Sequence, residues 1–134
     1  MKNLIDNIKS SEGYSSELYL DDKGIATIGY GTNITTISKA EAEWLLHNRI
    51  RNSIAEVDGL LGTNIILALN DTQKNALYEL GYWIGINRFK KFKKMIKALS
   101  KKDYNKASME LLDSKIGRNY TTRATRLAND LKGE

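Results

Sequence analysis

Glu12, Asp21 and Thr27 are the residues whose types and spacing suggest chemistry. One carboxyl group can protonate a leaving oxygen, a second can orient or deprotonate a water, and a hydroxyl can hold that water. Two carboxylates and a hydroxyl brought together in this way suit hydrolysis of a glycosidic bond. Each residue also has a plainer explanation. Glu12 can be an exposed acid in the last turn of a helix, where the macrodipole mildly disfavours it. Asp21 can be an ordinary turn aspartate, and Asp22 fits a turn equally well. Thr27 can be a β-branched residue chosen for its strand. Physics alone does not choose among these readings, so the elements that would position the three residues carry the question.

Those elements lie close together in the chain. Residues 2–12 carry Leu4, Ile5 and Ile8 at helical spacing, and Gly13 ends the pattern just after Glu12. An alternating run, Glu17-Leu18-Tyr19-Leu20, leads into Asp21-Asp22-Lys23-Gly24, and a second run spans Ile25 to Tyr30. An Asp-Lys-Gly turn between two such runs predicts a hairpin, because glycine supplies the positive φ of a tight turn. The hairpin places Asp21 near its tip and Thr27 on its second strand, and Glu12 on the incoming helix can face both. Ile34 and Ile37 are expected to continue a third strand.

Beyond residue 37 the period becomes helical. Ser38 and Glu41 form a capping-box pattern opening a helix to about Gly59, with Leu46, Ile50, Ile54 and Val57 on one face. Residues 59–69 read as a loop. Asn70-Asp71 caps a central helix bearing Ala76, Leu77, Leu80, Trp83 and Ile84, which Gly85 ends. Phe89, Phe92, Met95, Ile96 and Leu99 then recur at spacings of three and four. Asp103 caps a helix bearing Tyr104, Ala107 and Leu111, and Thr121 or Thr122 opens one bearing Ala124, Leu127, Ala128 and Leu131. The expectation is an α+β fold, predominantly α. It is a single domain over 1–134: a small antiparallel sheet lobe (about 13–37), a long connecting helix (about 38–59) and a helical lobe (about 60–134).

Composition sets outer bounds. The 134 residues contain no cysteine and one histidine, His47, so disulfides and thiolate metal sites are excluded. No metal or cofactor is expected. No apolar run long enough to span a membrane occurs, and Asp6 interrupts the stretch where a signal peptide would need an apolar core. A net charge of +5 favours polyanions such as nucleic acid, anionic lipid or the bacterial envelope. The lysines between Arg88 and Lys102 read first as a solvated helix face, and second as a weak attraction to anionic wall polymers or headgroups. His47 reads as a helix residue without special role.

The motif as a whole is more specific than its parts. Glu12, Asp21 and Thr27, followed by Ile28-Gly29-Tyr30-Gly31, closely resemble the catalytic signature of the phage-type lysozymes, glycoside hydrolase family 24. Leu69-Asn70-Asp71-Thr72-Gln73 through Ala76-Leu77 is similar to that family's "LNDxQxxAL" helix start. Tyr82-Trp83-Ile84-Gly85 with Phe89 resembles its central "F-N-hydrophobic-G…F" segment, and Thr122-Arg123-Ala124-Thr125-Arg126 its "R-x-x-R" stretch. The likeness covers nearly the whole chain, in order.

The resemblance implies a lysozyme-like fold and hydrolysis of the β-1,4 bond between N-acetylmuramic acid and N-acetylglucosamine in peptidoglycan, with inversion. By carry-over Glu12 is the general acid, Asp21 positions or activates water, Thr27 assists on the water's side, and Arg123 pairs with Glu12 and tunes it. Arg123 read by itself is one more cation on a basic surface. Tyr30, Tyr82 and Trp83 are candidate sugar contacts, and for the tyrosines core packing is the alternative. The chain departs from the family at Thr32, where some members have histidine, and at Trp83, where a polar Asn or Gln is expected in the cleft. An indole there loses a hydrogen bond but can stack on a sugar ring. The chain is also shorter than usual before its central helix.

The reading is therefore a monomeric, metal-independent endolysin whose partner is its peptidoglycan substrate. It would collect in the host cytoplasm and need a holin pore to reach the wall. The rival is a catalytically inactive lysozyme-like module that binds glycan or a polyanion. Nucleic-acid binding is not expected, since no reading motif accompanies the charge.

Overall fold

A computed structural model of the chain describes residues 2–133. Helix α1 (Lys2–Glu12) closes at Gly13, whose φ of +70° supplies the left-handed step that a side chain resists. Three antiparallel strands follow in spatial order β1-β2-β3: β1 (Ser15–Leu20), β2 (Ala26–Gly29) and β3 (Thr32–Asn33). Register pairs Tyr19 with Thr27 and Thr27 with Asn33, so Thr27 sits in the middle strand. Ser15 pairs with Gly29, so β1 bulges between Ser15 and Tyr19. The third strand differs from the sequence expectation. It is Thr32–Asn33, with Ile34 N–H still donating to Ala26 at 3.0 Å, and Ile37 lies outside it. The Gly29-Tyr30-Gly31 turn reverses the chain earlier than the apolar pattern of Ile34 and Ile37 suggests.

Helix α2 (Lys39–Leu61) opens with both halves of the capping box: Ser38 N–H donates to Glu41 Oε1 at 3.0 Å, and Glu41 N–H donates to Ser38 Oγ at 3.1 Å. Its 23 residues make one uninterrupted helix about 35 Å long. The expected loop at 59–69 is mostly helical. α2 continues to Leu61, and after Gly62 (φ +84°) the short α3 (Thr63–Leu67) begins. Apolar Ile65 and Ile66 pack partly into the core there, which sustains a turn that the glycines alone argue against.

Then follow α4 (Asp71–Ile84), α5 (Ile86–Phe89), α6 (Lys93–Ser100), α7 (Tyr104–Leu112), α8 (Lys115–Asn119) and α9 (Thr121–Leu131). Asn70 caps α4 in a capping box with Gln73, and Asp103 caps α7 by accepting from Lys106 N–H. The apolar spacing from Phe89 to Leu99 is split between α5 and α6, because both Phe89 and Phe92 turn inward at a break between them.

The chain divides into two compact units, residues 1–45 and 46–134, with the boundary inside α2. Fold class is α+β, predominantly α, as expected. The second unit owns the core. Leu77, Leu80, Phe89, Met95, Leu99, Leu111, Leu127 and Leu131 are fully buried there, each contributing about 1.5–3 kcal/mol by leaving water. α4 packs on α9, and α7 packs on α6 and α9. Polar groups caught inside are satisfied: Ser108 Oγ donates to the Ala128 carbonyl at 2.8 Å, and Gln73 Nε2 to that of Leu131 at 3.1 Å. Gly81 lets α2 approach α4, since a Cβ on it would lie 2.6 Å from Val57 Cγ2. In the first unit Thr27 is the one buried residue among those described.

Candidate active site

Glu12 is the last residue of α1, so its backbone is fixed by the helix. The residue is exposed, and its carboxyl lies against Gly31. Gly31 has a φ of +72°, and a Cβ built on it would stand 2.6 Å from Glu12 Cδ and 2.9 Å from Cγ. Helix end and Gly-Tyr-Gly turn are thus in direct contact through the proposed acid.

Asp21 begins the β1–β2 turn and is half-buried. Its Oδ1 accepts from Lys23 N–H at 2.8 Å and from Ile25 N–H at 2.9 Å, while its carbonyl accepts from Gly24 N–H at 2.9 Å. One carboxylate oxygen is therefore committed to holding the turn, an Asx arrangement. Thr27 is 4 % exposed, and its hydroxyl donates to the Ile25 carbonyl at 2.8 Å. With its proton spent, that hydroxyl can only accept from a further partner. Glu12, Asp21 and Thr27 all belong to the first unit. Among the hydrogen bonds of the described residues, Asp22 makes no comparable side-chain bond to the turn.

Tyr30 is exposed between two positive-φ glycines, and its ring sits 5.3 Å from that of Tyr14, with Lys9 Nζ 5.2 Å from its centroid. Tyr14, 68 % exposed and two residues beyond Glu12, was not singled out in the sequence. Its only signal was an aromatic beside the motif.

The other candidates belong to the second unit. Tyr82 is exposed and borders an apolar hollow of about 370 Å³ with Leu46, Ile50, Ile54 and Tyr78. Trp83 is half-buried, meets Tyr120 edge-on at 5.7 Å, and lies under the Arg123 guanidinium, 4.5 Å from the ring. These side chains line an open hollow of about 550 Å³ with Asn119 and Thr121. Tyr82 is therefore not core, while Trp83 packs partly against the core as well. Arg123 Nε donates to Glu79 Oε2 at 2.9 Å, and Arg126 Nη2 donates to the same oxygen at 2.5 Å. Burial pushes the Glu79 carboxyl up, but the Arg126 and Arg123 guanidiniums outweigh it and hold the group below the usual glutamate value. Glu79 and Arg126 were not foreseen, because a pairing 44 and 47 residues apart leaves no local spacing signal. Among the described residues no three His, Asp or Glu side chains are grouped as metal ligands would be.

Comparison with known proteins agrees with the motif. The Phage lysozyme family profile matches residues 9–124, a span that takes in both units. The chain is similar to an endolysin of Acyrthosiphon pisum secondary endosymbiont phage 1, 34% identical over 110 residues, covering 78% of this chain and 72% of that protein. It is also similar to the probable T4-type lysozyme 2 of Dictyostelium discoideum, 26% identical over 156 aligned positions, covering 95% of this chain and 92% of that one.

Proposed function

This chain belongs to the phage lysozyme family, and on that premise we propose that it is an endolysin muramidase. It hydrolyses the β-1,4 bond between N-acetylmuramic acid and N-acetylglucosamine in bacterial peptidoglycan, with inversion. The observation that carries this reading is the Glu12 carboxyl, held at an exposed helix end against the Gly31 turn, in one unit with Asp21 and Thr27. Glu12 protonates the leaving glycosidic oxygen. Asp21 keeps Oδ1 on the turn amides and presents its other oxygen to a water, taking that water's proton as it attacks the anomeric carbon. Thr27 accepts a hydrogen bond from the same water and fixes its direction. Arg123 serves Glu12 as counter-cation; its bond to Glu79 uses Nε and leaves the two terminal nitrogens for a second carboxylate. Tyr30, Tyr82 and Trp83 contact sugar rings.

The enzyme works as a monomer, without metal or cofactor. It collects in the host cytoplasm and reaches the wall through a holin pore, aided weakly by attraction of its basic surface to the anionic envelope. Among the described residues no helix is long and apolar enough to cross a membrane.

The test is clearing of outer-membrane-permeabilised cells by wild type and by folded Glu12→Gln, with the released fragments analysed for their ends. Clearing with reducing rather than anhydro ends, reduced about 10²–10⁴-fold in the variant, is the expected result. A folded wild type that sediments with walls without clearing them would instead establish an inactive glycan-binding module.

A further inference from the structure

We propose that Gly31 is a positioning residue for catalysis: its missing side chain is the space in which Glu12 holds its carboxyl. The inference rests on Glu12 being the general acid and assigns its geometry to a residue across the turn.

Two glycines flank Tyr30, and they are closely matched in φ, +67° at Gly29 and +72° at Gly31. Both φ values lie where an L side chain is strained, so conformation already favours glycine at each position. Space separates them. A Cβ on Gly29 would meet nothing within 4 Å, whereas one on Gly31 would fall among Oε2, Cδ and Cγ of Glu12, the latter two at 2.6 and 2.9 Å. All three atoms belong to the free end of a flexible side chain, and no backbone atom lies as near. A methyl group at position 31 is therefore accommodated by rotating Glu12 away, with the turn left in place. The fold tolerates that movement and general-acid catalysis does not, because a displacement of order 1 Å in a reacting group costs about a hundredfold in rate.

The experiment compares Gly31→Ala with Gly29→Ala, each alone and combined with Glu12→Gln. Melting temperature is measured, with kcat and KM on soluble peptidoglycan fragments. The two glycine variants are expected to lose similar amounts of melting temperature. Gly31→Ala loses about a hundredfold in kcat with KM unchanged, while Gly29→Ala keeps most of its kcat. Glu12→Gln then costs little more in the Gly31→Ala background and its full amount in the Gly29→Ala background, since the first pair acts through one group. Equal kcat in the two glycine variants overturns the proposal, as does full additivity with Glu12→Gln. If Gly31→Ala does not fold alone, adding Glu12→Ala restores folding on this proposal, and a double variant that stays unfolded overturns it. A wild type without activity, or one indifferent to Glu12→Gln, signals instead that the muramidase reading has failed.

Discussion

The two units of this protein are held together by different physics. Residues 46–134 are organised by exclusion of water: the buried leucines, Phe89 and Met95 fix the helices, and the few enclosed polar groups are paired. Residues 1–45 bury Thr27 among those described, while Leu4, Ile5, Ile8, Leu18 and Leu20 stay 46–67 % exposed. What shapes that unit is local bonding: the Asp21 turn, three-strand pairing around Thr27, and positive-φ glycines at 13, 24, 29 and 31. A site built from turns and strand edges reaches geometries a packed core cannot offer, at the expense of intrinsic stability. The proposed acid and water-handling residues all lie in the unit with little core.

The sharpest test of the contrast is Phe89→Ala. Phe89 is 0 % exposed, and its removal should cost about 3–5 kcal/mol in urea or thermal melts. A loss under about 1 kcal/mol would mean the second unit is not packed as described.

Asp21 probes the bonded unit. Asp21→Ala removes the acceptor of two turn amides and should cost about 1–2 kcal/mol, whereas Asp21→Asn keeps an oxygen for them and should melt near the wild type. On the proposed mechanism the asparagine variant should nevertheless lose wall-clearing activity, because an amide cannot take a proton from water. Equal melting of the two variants would remove the turn from the account.

Acid should act on the packed unit through Glu79. Its carboxyl titrates below the ordinary value in the folded chain, so the stability it contributes is present above the unfolded glutamate pKa of about 4.3 and is lost as pH falls through the lower folded value. Glu79→Gln should flatten the fall in melting temperature over that acid window. An unchanged slope would show the two arginines to be bystanders. Tyr78 works at the other limit: burial first, then its hydrogen bond to Asp58 at 2.6 Å, push its hydroxyl up to about 12. Its stabilisation is complete below about 10 and fades toward about 12.

The smallest effect belongs to Leu20→Ala. With the residue 67 % exposed in the first unit, its melting should change by less than about 0.5 kcal/mol. A core-sized loss would show that apolar packing governs both units.

The same contrast explains what could be read before the structure. Signals carried within a few residues were legible: the Ser38/Glu41 capping box, the Asn70 cap, the Asp21–Gly24 turn, and the fold class that follows from their order. The helix ending at Glu12 and the hairpin bearing Asp21 and Thr27 were legible for the same reason. Features set by distant partners were not. Residues 63–67 form a helix because Ile65 and Ile66 meet the core, and Phe92 interrupts a helical spacing by turning inward. The bridge from Glu79 to Arg123 and Arg126 joins α4 to α9 across more than forty residues, and nothing in either segment names the other. The contact of Glu12 with Gly31 stayed hidden because a glycine's empty space can be recognised only when its occupant is seen.

Helix α9 supplies Ala124, Leu127, Ala128 and Leu131 to the interior of the second unit and packs on both α4 and α7. A ribosome makes the chain in the opposite order to its dependence on core: the hairpin emerges before the core helices, and the helix on which α4 and α7 close comes after both of them. Nascent chains lacking α9 therefore expose the apolar faces of α4 and α7 together, and they are the species a chaperone or a protease would meet.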